Sequence, residues 1–133
     1  MVKRVTDSAM DALLNYIINN AGDIAICEGA VAFVHEALLN KGAGGKRLGG
    51  LASFDNTDFT GPTDGDTNGR KLTVTQQTGI SISVSGTADH IAISGDASPN
   101  ELLLVTSLSS SQAVTSGNTA TINAFDLEVA DPS

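Results

Sequence analysis

Positive charge runs out of this sequence just past its midpoint. Every Lys and Arg lies at or before Lys71, while Asp89, Asp96, Glu101, Asp126, Glu128 and Asp131 follow with no cation to balance them. The net charge is −8. A protein that grips duplex DNA needs a basic stripe to displace counterions, so direct nucleic-acid binding is not expected. Aromatic residues are also scarce, at 4% of the chain with no Trp and one Tyr. Sugar-binding faces stack on aromatic rings, which weighs against a carbohydrate- or receptor-binding module. The lone cysteine, Cys27, has no partner for an intramolecular disulfide, which removes the stapled secreted scaffolds. No apolar run reaches the 18 residues that mark a membrane-spanning helix, so no membrane is expected as partner. The opening Met1-Val-Lys-Arg4 resembles the start of a signal peptide, but Asp7, Ser8 and Asp11 occupy the place of its apolar run. Synthesis in the cytoplasm is expected.

What is present favours strands. Apolar residues make up 41% of the 133 and charged residues 17%. The core must therefore come from Ile, Leu, Val and Ala, with large anchors at Tyr16, Phe33, Phe54, Phe59 and Phe125. Ser, Thr, Asn and Gly stand in for charge, a surface that suits strands and turns. Met10, Leu13, Leu14, Ile17 and Ile18 recur at helical spacing, which predicts an amphipathic helix over residues 7–21. Ser8 and Asp11 are placed as a capping box, and Gly22 as the stop. A brief strand is expected at residues 23–28 and a short helical turn after it. Residues 40–50, NKGAGGKRLGG, hold five glycines and three cations, which predicts a mobile loop or hairpin tip.

Beyond that loop, residues 71–75, 79–85, 90–94, 102–107 and 119–129 are short runs rich in β-branched residues. Ile80, Ile82 and Val84 alternate with Ser81 and Ser83. Turn signals separate the runs, as at Asp64-Gly65, Asn68-Gly69, Ser98-Pro99-Asn100 and Gly117-Asn118. The expected fold is mainly β: an antiparallel β-sandwich, or flattened barrel, with an N-terminal α-helix. It forms a single domain over 1–133, with arm and helix in 1–22 and the sandwich in 23–133. The expected core is Leu72, Val74, Ile80, Ile82, Val84, Ile91, Ile93, Leu103, Val105, Ile122 and Phe125.

Candidate reactive groups are few. Asp64-Gly-Asp-Thr-Asn-Gly69 matches the first half of a calcium loop, but Thr75 stands where the bidentate Glu belongs, and Arg70 and Lys71 follow. A turn without metal is the expectation. Cys27 with His35 would make a nucleophile and base only if the fold joined them, and a Cys beside Ile26 is more simply a small buried hydrophobe. His90 is expected at a strand start. The glycine-rich loop fails the spacing of phosphate-binding loops, since Arg47 follows Lys46. No cofactor, metal or catalytic residue is expected, and the chain is not expected to be an enzyme.

Several stretches resemble a family of small structural proteins of tailed-phage and prophage virions. They are Ala12-Leu-Leu-Asn-Tyr-Ile17, Phe59-Thr-Gly-Pro-Thr-Asp-Gly-Asp-Thr-Asn-Gly-Arg-Lys-Leu-Thr-Val74, Ser85-Gly-Thr-Ala-Asp-His-Ile-Ala92, Thr115-Ser-Gly-Asn-Thr119 and Ala124-Phe-Asp-Leu-Glu-Val-Ala-Asp-Pro132. The resemblance covers most of the chain outside residues 29–50. It implies a virion component, with capsid decoration (cement) ahead of a tail or neck part. The implied partners are the major capsid protein and further copies of the chain, as a trimer. The expected location is the capsid surface, after synthesis in the bacterial host. The cations expected to reach the shell are Lys3, Arg4, Lys46 and Arg47. The apolar face of residues 10–18, expected to pack on its own sheet, is a candidate contributor to a trimer core only if that sheet leaves it uncovered.

Overall fold

A computed structural model describes residues 4–96 and 100–132. The first element is α1 (Asp7–Asn20). Its cap is Thr6 rather than Ser8: the Thr6 hydroxyl accepts from the Ala9 amide at 3.3 Å, satisfying a donor with no partner inside the helix. Met10, Leu14, Ile17 and Ile18 are buried, as their spacing predicts. Gly22 is not a stop. The chain passes straight from the helix into β1 (Ala21–Cys27), and a Cβ on Gly22 would sit 2.4 Å from the Cβ of Asp96.

The remaining elements are α2 (Val34–Leu38), β2 (Arg47–Leu51), a 3-10 turn (Asn56–Asp58), β3 (Phe59–Asp64), β4 (Arg70–Val74), β5 (Gln77–Ile82), β6 (Gly86–Gly95), β7 (Leu102–Val114), β8 (Thr119–Ile122) and β9 (Phe125–Val129). The strands form a six-stranded sheet ordered β7-β6-β1-β2-β5-β8 and a three-stranded sheet ordered β3-β4-β9. Every pairing between named strands is antiparallel. The fold is thus mainly β, with curled sheets in a half-barrel or sandwich arrangement and a helix at the N-terminus.

Alternation divides the large sheet into two faces. Ile24, Ile26, Leu48, Ile80, Ile82, Ile91, Ile93 and Ile122 face inward and pack with Leu72 and Val74 of the small sheet and Leu14, Ile17 and Ile18 of α1. Ala25, Cys27 and Ala92 form a shallow second cluster with Val31, in the segment before α2, and Ala37 of α2. Of the expected core, Leu72, Val74, Ile80, Ile82, Ile91, Ile93 and Ile122 are buried. Val84, Leu103 and Phe125 are half-buried at the margin of the main core, and Val105 at that of the second. The apolar face of α1 is covered by its own sandwich, so it is not a trimer core; only Leu13 and Tyr16 among its large apolar residues stay exposed.

The glycine-rich segment departs most from expectation. Residues 47–51 are a strand between β1 and β5 in the interior of the large sheet, and Leu48 has no exposed surface. The glycines mark crowding, not slackness. A Cβ on Gly49 would lie 2.3 Å from the Ser81 carbonyl oxygen, and one on Gly50 2.5 Å from that of Ile24. Backbones approach this closely where a sheet bends, and only glycine fits. Residues 119–129 likewise form two strands: β8 pairs with β5 in the large sheet, and β9 pairs with β4 in the small one.

Candidate functional site

The large sheet curls so that its two end strands, β7 and β8, flank one open groove of about 460 Å³. Residues 106–110, Gln112 and Val114 form one wall, residues 120–126 the other, and Ile26, Ala88 and Ile91 the floor. The β7 wall is loosely paired to its neighbour. Ala88 opposes Gln112 and His90 opposes Ser107, so a single β6 residue, Asp89, faces the whole stretch from Leu108 to Ser111. Such an insertion bows the strand and increases its twist.

The groove is chemically quiet. Its walls carry Ser, Thr, Gln and Asn, and among the described residues the one titratable group lining it is Asp126. That carboxylate accepts from the Thr73 hydroxyl at 2.6 Å and from Lys71 Nζ at 3.2 Å. The two contacts, the hydroxyl first, hold it below the usual aspartate range. Among the described residues no nucleophile with a base lines this space, and what it offers a ligand is hydroxyls, an apolar floor and strand edges.

The residues singled out in the sequence lie elsewhere. Cys27 is fully buried, and burial pushes its thiol up to about 11, the opposite of an activated nucleophile. Its strand partners are Arg47 and His90, whereas His35 stacks on Phe33 with ring centroids 5.7 Å apart. His90 is inside β6 rather than at a strand start, its Nδ1 2.8 Å from Asp89 Oδ1. In the 64–69 segment, the Gly65 amide donates to the Gly69 carbonyl at 2.9 Å and closes the β3–β4 turn. Asp64 and Asp66 are each taken by a cation, from Arg70 and Lys71 at 2.6 Å. Among the described residues no group of three His, Cys, Asp or Glu side chains is placed to hold a metal ion.

Residues 42–44 form a turn between bridges at Asn40–Arg47 and Lys41–Gly45, but the two cations expected to reach out from it are paired within the chain. Arg47 makes a two-pronged contact to Asp23 at 2.7 and 3.1 Å and also donates to the Ala37 carbonyl. Lys46 pairs with Glu36 at 2.9 Å and donates to the Ala30 carbonyl. Arg4 is exposed on the arm before α1, and Lys3 lies outside the described residues. Sequence reasoning missed the groove itself. Its trace in the sequence is an absence: residues 102–114, an edge strand, contain no charged residue and no Pro, the devices that usually blunt an edge.

No protein family, no curated protein and no solved structure matches this chain.

Proposed function

We propose that this protein is a non-enzymatic structural component of a tailed-phage virion, a decoration protein that binds the shell of the major capsid protein. The observation that carries the structural half of this reading is the make-up of the groove. It combines a neutral hydroxyl lining with two strand edges and an apolar floor, a surface suited to holding another chain rather than transforming a substrate. The virion setting rests on the resemblance of the quoted stretches.

Charge bears on how such a protein would sit. Every Lys and Arg from Lys41 onward is engaged in an ion pair with a carboxylate of the same chain. The remaining acidic excess faces outward, so contact with an acidic shell would run through neutral and apolar groups, with Arg4 the exposed cation nearest to hand. A homotrimer at the meeting points of neighbouring shell subunits remains the proposed assembly, since closed symmetry is the usual state of homo-oligomers.

The test is to add purified protein to shells lacking it and to measure copy number per particle. Hundreds of copies on shells are expected. Absence from shells with co-purification on tails would move the assignment to a tail or neck part. Binding to neither would overturn the virion reading.

A further inference from the structure

One wall of the groove is the end strand β7, and the other starts on the end strand β8 (residues 120–122) and runs through residues 123–124 into β9. β7 has β6 on one side and β8 has β5 on one side, and in the described residues neither has a strand on the other. Backbone donors and acceptors along such an edge must find water or another strand. Edges facing solvent usually carry Lys, Pro or inward charge that prevents pairing. Neither Leu102–Val114 nor Thr119–Ile122 contains any of these.

We infer that the groove receives an extended, uncharged segment of a different polypeptide, which adds as a strand between β7 and β8 and closes the curled sheet into a barrel. The two edges decide the source. A strand seated between them must offer both of its own edges, so it cannot already belong to a sheet. Every strand among the described residues already belongs to one, so a second copy could donate none without unfolding. The lining decides the chemistry. The single carboxylate, Asp126, is already held by Lys71 and Thr73, so a charged segment would lose hydration over an apolar floor without gaining a counterion. Alternate side chains of a neutral strand would instead meet Ile26, Ala88 and Ile91 on the floor and solvent outside. This inference goes beyond the virion assignment and does not depend on it.

The experiment uses the full chain and a displayed library of short linear peptides. Uncharged sequences with alternating apolar residues should be enriched. A synthetic copy of the best should slow amide exchange along both β7 and β8, and N-methylation at alternate peptide positions should abolish this. Ser110 and Ala124 are exposed on opposite walls, so Ser110→Lys and Ala124→Lys should leave melting unchanged while weakening the peptide about tenfold or more. No enrichment of such peptides, or protection confined to one wall, would overturn the inference. So would self-association that protects the same amides without peptide.

Discussion

Arg47 and Lys46 are adjacent, equally charged and differently used. The Arg47 and Asp23 side chains are 16% and 12% exposed, and the guanidinium fork matches the carboxylate while also reaching the Ala37 carbonyl in the last turn of α2. Removing one partner of such a pair strands the other in a poorly solvated place. Arg47→Ala is therefore expected to cost about 3–5 kcal/mol. Arg47→Lys keeps the charge but loses the fork, so it should also destabilise. Lys46→Ala gives up an ion pair whose cation is one-third exposed, expected to cost below about 1 kcal/mol. Urea unfolding of the three variants separates these outcomes, and equal midpoints for Arg47→Ala and Lys46→Ala would refute the distinction. Nothing in the sequence separates the two residues. The difference comes from Asp23 and Ala37, which the fold brings to Arg47 from distant positions.

At the scale of the element, β2 shows how a composition rule can mislead. Glycine weakens a strand by entropy, yet β2 lies where its neighbours leave no room for a Cβ. A loop and a crowded strand predict different mutational costs. As an interior strand residue with no exposure, Leu48 should cost about 2–5 kcal/mol on replacement by Ala. Gly49→Ala should be at least as damaging, because the added carbon meets the Ser81 carbonyl and β2 would have to part from β5. Gly42 has open space around it and a φ of +89°, so Gly42→Ala should cost only the left-handed penalty of about 1–2 kcal/mol. Thermal melts of the three variants test this, and three small shifts would restore the loop.

Over the whole molecule, pairing of cations with selected carboxylates predicts how stability responds to acid. Glu36 is lowered from its ordinary 4.5 to about 2 by the Ala32 amide first, then by Lys46 and the Phe33 amide. Asp126 is lowered by Thr73 and Lys71, Asp89 by His90 and the Gly29 amide, and Glu28 by Lys41 and the Thr87 amide. In the unfolded chain these groups take up protons near their ordinary values, before the folded protein does. Their contribution is thus complete above about pH 5 and is lost as pH falls through the folded values. Relief of self-repulsion in a protein of charge −8 acts the other way. Glu36→Gln isolates the first effect. Wild type should lose melting temperature more steeply than Glu36→Gln between about pH 4.5 and 2, and parallel curves would rule Glu36 out as a contributor.

The sequence by itself determined what its neighbours along the chain decide. Three- and four-residue spacing specified α1 and its buried face at Met10, Leu14, Ile17 and Ile18. Alternation specified β5 through Ile80 and Ile82, and Asp, Asn and Gly specified the turn closed between Gly65 and Gly69. Each of these signals is a periodicity or a backbone preference within a few residues. The tertiary structure decided the rest: that 47–51 is a strand, that 119–129 divides between two sheets, that Arg47 meets Asp23, and that β7 and β8 face one groove. These depend on which distant segments pair and how sharply the sheet curls. Such pairings are chosen by the packing of the whole core, for which no local pattern in the chain provides a sign.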